Sequence, residues 1–313
     1  MARQVLMTNL ESQPTLRKAV ENALTASAGA HLDRSRNHPC TIASSKQLTG
    51  GCISDAALVT LEDGRQYFVK SSLHDLAVYE AEQNGLEAIR ATQTLRVPEI
   101  IGLGKTECGI SFFILEAIES GNTTATSEIE FGRRLAQMHR KTRAARFGYP
   151  QSNFIGSTAQ LNTWATNWQT FFVESRLRPQ IRMAQNRELT TPLFNRHADQ
   201  LLSKMGNFLP NSSSPVLIHG DLWAGNIIIA KGGIPVLIDP AVSYSEREFE
   251  FGMTTLFGGF GADFYEAYHE CWPLSEGWQE RVKIYQLYHL LNHLNLFGAS
   301  YFQACMSTLK QFS

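Results

Sequence analysis

Apolar positions fall into short runs in the first part of this chain and into helical spacing over the rest. Residues 13–28 read as a helix, with Pro14 tolerated near its first turn. Between Cys40 and Val69 the pattern turns to strands. It is interrupted at Gly50-Gly51 and again at Glu62-Asp63-Gly64-Arg65, which reads as a hairpin turn. Residues 66–70 then make a short strand that ends in Lys70, and residues 75–92, rich in Ala, Glu, Leu and Gln, make a helix. Residues 97–101 and 110–115 are two further strands, and Glu119-Ser120-Gly121-Asn122 is the best linker.

Beyond the linker the pattern is mostly helical. Ser127-x-x-Glu130 predicts a capping box opening a helix that runs to about Arg146. Trp164, Trp168, Phe171 and Phe172 stand at i, i+4, i+7 and i+8, which predicts one aromatic helix face turned to the core. Residues 192–208 make another helix. Two apolar runs follow, residues 216–218 and 235–238, and helical segments near 246–256, 262–271 and 277–302 close the chain. The expected class is therefore α+β. It has two lobes, a five-stranded antiparallel N-lobe over residues 1–118 and a mostly helical C-lobe over residues 119–313.

Composition narrows the function classes. With 43 % hydrophobic and 18 % charged residues, the chain is globular rather than disordered. A net charge of −1 gives no footprint for nucleic acid or an anionic membrane. No stretch approaches the ~20 apolar residues of a membrane span, and the polar N-terminus lacks the apolar core of a secretory signal. Five dispersed cysteines, at 40, 52, 108, 271 and 305, show no zinc spacing. They fit a reducing, cytoplasmic location.

The densest chemistry lies in His219-Gly220-Asp221-Leu222-Trp223-Ala224-Gly225-Asn226, followed by Ile238-Asp239-Pro240. Apolar runs enter and leave this stretch and deliver Asp239, so strands hold two carboxylates and a carboxamide near one point. That arrangement suits phosphoryl transfer. Asp221 would take or orient the proton of an attacking hydroxyl, while Asn226 and Asp239 would hold Mg²⁺ through hard oxygen atoms. The D-x4-N spacing is similar to the catalytic loop of protein-kinase-like folds, with Gly220 where protein kinases usually carry Arg. In that fold Lys70 would meet the phosphates of ATP and a glutamate of the following helix, either Glu80 or Glu82. Gly50 and Gly51 would bring backbone N–H groups to the phosphates. The backbone of Glu116, Ala117 and Ile118 would meet the adenine edge, and the nucleotide is expected in the cleft between lobes.

Together these residues resemble the fructosamine kinase, or ketosamine-3-kinase, family. The resemblance takes in Gly51-Cys52-Ile53-Ser54, Phe68-Val69-Lys70, Tyr79-Glu80-Ala81-Glu82 and Val97-Pro98. It continues through the His219–Asn226 loop, Asp239-Pro240-Ala241, Tyr244, Arg247-Glu248, Tyr285-Gln286-Leu287-Tyr288 and Leu291-Asn292-His293. It singles out Glu82 as the partner of Lys70. It implies ATP-dependent phosphorylation of the O3 hydroxyl of a ketoamine, small or protein-bound, with release of the amine. It further implies that Trp223 and His293 line the sugar site. Cys52 becomes a candidate redox switch, and the chain a monomer or a redox-linked dimer. The chain departs from the family at Ala224, Ser245 and Phe249-Glu250, where aromatic-Asp is usual; Glu250 is expected to keep a structural ion pair. The alternative is another small-molecule kinase of the same fold, acting on aminoglycosides or choline-like alcohols. An aminoglycoside site would carry many acids for its polycationic substrate, and residues 281–302 hold no such cluster.

Overall fold

The computed structural model describes residues 10–31, 39–48, 55–73, 75–210 and 214–313. The chain forms two compact units. The first comprises residues 1–84 and 98–119, the second residues 85–97 and 120–313.

The first unit contains α1 (Pro14–His31), β1 (Ile42–Leu48), β2 (Asp55–Leu61), β3 (Gln66–Ser72), the first half of α2 (Leu76–Ala91), β4 (Ile100–Lys105) and β5 (Ser111–Glu116). Its sheet has the order β1-β2-β3-β5-β4, with every neighbouring pair antiparallel. Leu16, Val20 and Leu24, one helical turn apart on α1, join Ala57, Val59 and Leu61, every second residue of β2, in one core with Val69, Phe112 and Ile114. Full burial is worth roughly 1.5–3 kcal/mol for each large apolar side chain, so this contact fixes which face of the sheet is covered. Side chains alternate along a strand. With Val69 committed to the α1 side, Lys70 projects from the other face. The β2–β3 turn closes through Leu61 N–H to Arg65 O at 2.9 Å, with Gly64 at φ 86°.

The second unit contains α3 (Ala125–Lys141), a small hairpin of β6 (Asn153–Ile155) and β7 (Thr158–Gln160), α4 (Trp168–Phe172), α5 (Arg178–Asn186) and α6 (Pro192–Lys204). After these come β8 (Val216–Ile218), β9 (Ile227–Ala230), β10 (Ile234–Leu237), β11 (Ser243–Ser245), α7 (Glu250–Leu256), α8 (Ala262–Cys271), α9 (Trp278–Phe297) and α10 (Phe302–Phe312). β9 pairs with β10 and β8 with β11, both antiparallel. The core centres on Trp168. Its ring lies within 6.0 Å of Phe147, Phe171, Phe172, Phe249 and Tyr285, and its indole N–H donates to Tyr285 Oη.

Several expected elements differ in detail. The capping box is Thr124 with Ser127, not Ser127 with Glu130. Thr124 is extended and accepts from Ser127 N, and Ser127 Oγ accepts from Thr124 N, so α3 starts one turn earlier. Trp164 precedes α4 rather than sharing its face; it is 37 % exposed, beneath the Arg146 guanidinium. The strand expected over 97–101 runs instead from Ile100 to Lys105, and Pro98 has no N–H for a sheet ladder. The last helix stops at Gly298, whose φ of 87° an L side chain rarely adopts, and restarts as α10.

Candidate active site

Lys70 sits near the end of β3, opposite Phe113 of β5, and is 8 % exposed. Its ammonium lies 2.8 Å from Glu82 Oε1, on the second turn of α2, whereas Glu80 is exposed. The two candidates of the sequence are thereby separated by helix phase alone, since residues two apart on a helix point to different sides.

In the second unit, two turns carry the remaining groups. One joins β8 to β9 and holds His219 to Asn226; the other joins β10 to β11 and holds Asp239. His219 ties them together. Its Nε2–H donates to Ile238 O at 2.8 Å, and its Nδ1 accepts from Asp221 N at 3.3 Å. Burial lowers the His219 pKa, which keeps the ring neutral in this tautomer. Ala241 N–H donates to His219 O, and Ile238 N–H to Asn226 O, so the two turns are cross-linked by backbone as well. Gly220 has φ 84°, and a Cβ there would come within 2.2 Å of Ala241 O. Only glycine permits the two turns to approach this closely.

Asn226 Nδ2 donates to Asp221 O at 2.8 Å and to Asp221 Oδ2 at 3.1 Å. This fixes the amide so that its Oδ1 points away from Asp221. Asp239 has φ 55°, a left-handed conformation that aspartate tolerates better than most residues. Burial, and then the negative charges of Asp239 and Glu250, push the Asp221 carboxyl up to about 7, against the lowering effect of the Asn226 hydrogen bond. Two mutually repelling carboxylates beside a carboxamide oxygen are a hard-oxygen donor set. Among the described residues no group of three His, Cys, Asp or Glu side chains could hold a metal. Such a partial set suits Mg²⁺, which completes its shell with water and phosphate oxygens, better than Zn²⁺.

Glu250, the first residue of α7, is the functional group that sequence reasoning misread. Its carboxylate accepts from His219 N at 2.6 Å and Gly220 N at 3.0 Å, and it is 1 % exposed. The expected ion pair is not made there. The nearest base is His139 at 3.6 Å, whose pKa burial lowers, while Arg281 pairs with Glu248 at 2.7 Å. Glu250 clamps the backbone ahead of Asp221 instead. A second support is the β6–β7 hairpin. Gln160 Nε2 donates to Ala241 O and Asn153 Nδ2 to Val242 O, and Tyr288 Oη donates to Gln160 Oε1. These three-residue strands carry too little periodicity to be read from sequence.

The other predicted residues are distributed as follows. Trp223 is half-buried, its ring against Gly225. His293, on α9, donates from Nδ1 to His289 O at 2.8 Å and is half-buried. No contact between Trp223 and His293 is found among the described residues; the loop after α7 joins them, with Phe257 on His293 and Gly259 on Ala224. Glu116 N–H is used by Glu99 O inside the first unit, whereas Ala117 and Ile118 lie beyond the sheet ladder. Gly50, Gly51 and Cys52 lie outside the described residues. Cys40, Cys108, Cys271 and Cys305 are free thiols. No helix among the described residues is long and apolar enough to cross a membrane.

A protein named Probable ketoamine kinase from Synechocystis is 40 % identical over 282 residues, covering 90 % of this chain and 94 % of its own. The chloroplastic protein-ribulosamine 3-kinase of Arabidopsis thaliana is 38 % identical over 266 residues, covering 84 % and 80 %. A crystal structure of a candidate fructosamine-3-kinase from Haemophilus somnus superposes with a TM-score of 0.83 at 27 % identity, covering 97 % and 99 %. A ternary complex of the aminoglycoside phosphotransferase APH(4)-Ia with ADP and hygromycin B has a TM-score of 0.58 at 15 % identity, covering 93 % and 98 %, and shares the fold. The model of the family described as fructosamine kinase matches residues 24–313, and the chain belongs to that family.

Proposed function

We propose that this protein transfers the γ-phosphoryl group of ATP to the O3 hydroxyl of a ketosamine. The observation that carries the reading is the cross-linking of two turns by His219. It leaves Asp221 and Asn226 hydrogen-bonded to each other, with Asp239 close enough to raise the Asp221 pKa. Asp221 accepts the proton of the attacking hydroxyl as the new O–P bond forms and the bond to the ADP oxygen breaks. Burial raises the Asp221 pKa above the ordinary carboxylate range, which makes the carboxylate a stronger proton acceptor. Asn226 Oδ1 and Asp239 would hold Mg²⁺, which when bound would supply positive charge to the phosphate oxygens. Lys70, held by Glu82, contributes a further cation to the phosphates, and the peptide groups of Ala117 and Ile118 meet the base. Trp223, next but one to Asp221, offers an aromatic face to the sugar carbons.

The test is ATP consumption on a panel of ketosamines built on fructose, ribulose and erythrulose, with simple alcohols and an aminoglycoside as controls. Consumption confined to the ketosamines, with a 3-phosphate product, is the expected result. Consumption with the alcohols or the aminoglycoside, and none with the ketosamines, would refute it.

A further inference from the structure

His293 does not stand alone. Its ring centroid lies 4.9 Å from Phe257, 5.0 Å from Tyr301 and 5.3 Å from Phe297, and the last two are 6.1 Å apart. Three separate pieces of chain build this cluster. Phe257 follows α7, His293 and Phe297 stand at i and i+4 on α9, and Tyr301 is returned by the turn at Gly298. Phe257 and Phe297 are 43 % and 46 % exposed. Single exposed apolar side chains are ordinary, but here two exposed rings flank one half-buried imidazole, and clustering of this kind is what binding surfaces show.

Two further observations point to the occupant. The loop that carries Phe257 also reaches the Asp221 loop. A Cβ on Gly259, two residues after Phe257, would lie 2.3 Å from Ala224 Cβ, so this loop rests directly on the residue three positions after Asp221. The patch is also electrically suited to a cation. Four rings present π density, and burial lowers the His293 pKa with no charged side chain contributing to the shift, so the imidazole does not add a competing positive charge. A ketosamine supplies the matching group. Its amine nitrogen is separated from O3 by three carbons, ~5 Å at ordinary bond lengths, and a secondary alkylamine is protonated at neutral pH.

We propose that Phe257, His293, Phe297 and Tyr301 form the subsite for the amine side of the ketosamine, taking its alkylammonium and the methylene chain that leads to the carrier. This rests on the ketosamine reading of the active site. It gives the patch a role distinct from sugar recognition: it selects for a cationic, alkyl-bearing acceptor over a neutral sugar. The apolar stem and charged head of a glycated lysine have the required chemistry.

The experiment measures binding as well as turnover. The probe is the fructose ketosamine of Nα-acetyl-lysine amide, titrated calorimetrically into wild type, Phe297→Ala, Phe257→Ala and Phe297→Leu, with free fructose as the neutral control. Melting curves confirm that each variant folds. The expected result is a ketosamine Kd about 3- to 30-fold weaker in each alanine variant. Fructose binding and the KM for ATP should change by less than twofold. Phe297→Leu keeps apolar area without a π face and should remain weakened. Full rescue by leucine would overturn the cation–π assignment, and unchanged ketosamine binding in both alanine variants would overturn the subsite. A wild type that phosphorylates the ketosamine while the variants bind it normally rejects the subsite alone. A wild type that neither binds nor phosphorylates it rejects the ketosamine reading together with the subsite.

Discussion

Replacing Asp221 by Asn should abolish turnover and make the protein more stable. Asp221 has an ordinary pKa of 3.8 when unfolded and about 7 in the folded chain, mainly because burial opposes its charge and Asp239 repels it. At ~1.36 kcal/mol per pH unit, that difference is about 4 kcal/mol held against folding at alkaline pH. Asp221 is only half-buried, so solvent screening reduces the figure to about 2 kcal/mol. The sign follows from proton binding. Between pH 4 and 7 the folded chain holds a proton on Asp221 that the unfolded chain has released, so the Asp221 contribution to stability is greatest at low pH and is lost as pH rises to 7. The neutral amide of Asp221→Asn carries no such penalty, and its side-chain oxygen still accepts from Asn226. The variant should therefore match the wild type near pH 4 and exceed it above pH 7, by about 4–8 °C in Tm for a unit of this size. The assay is differential scanning calorimetry from pH 4 to 8 without nucleotide or metal, beside ATP turnover. An Asn variant that melts at or below the wild-type temperature at pH 8 would refute the claim that this carboxylate is held in an unfavourable site.

Three other substitutions probe the same assembly. Asp239→Ala should abolish the Mg²⁺-dependent part of ATP binding measured calorimetrically, and it should shrink the stability gained by Asp221→Asn, since one cause of the raised pKa is removed; metal-dependent binding of wild-type strength would remove Asp239 as a ligand. Lys70→Ala should raise the KM for ATP or cut kcat at least tenfold while the calorimetric melt of the α1–sheet core persists, because Lys70 lies on the sheet face opposite that core; a kinetically silent variant would defeat its assignment to the phosphates. Glu250→Gln puts an amide N–H₂ in place of one of the two carboxylate oxygens that accept from peptide donors at 2.6 and 3.0 Å. Unmaking such buried bonds costs about 1–3 kcal/mol each, so both Tm and kcat should fall, with the KM for ATP less affected. Wild-type kcat in a folded Gln variant would show that the loop needs no clamp.

The grouping of Asp221, Asn226 and Asp239 was legible because it is local. Asp221, Asn226 and Asp239 are carried on turns bracketed by apolar strands, and turn geometry over such spans is set by residue type and spacing. Four of the five strands and the Lys70 position were legible for the same reason, since period-two alternation commits Val69 to one face and Lys70 to the other, whereas the strand read over 97–101 lies at Ile100–Lys105. The cap of α3 was misplaced by one turn because Thr124 and Ser127 both have the chemistry of a capping residue, and only the backbone conformation at Thr124 separates them.

What sequence alone determined, then, was the family, the fold class and the short strands whose turns carry the candidate groups. Tertiary structure alone decided which groups hold them in place. Glu250 stands 30 residues after Gly220 and Tyr288 stands 128 after Gln160, yet both pairs are hydrogen-bonded. The aromatic patch is likewise assembled from Phe257, His293, Phe297 and Tyr301 across a helix break. Contacts of this range depend on how separate elements pack, and a glutamate, glutamine or phenylalanine reads the same in sequence whether it supports a catalytic loop or fills a core.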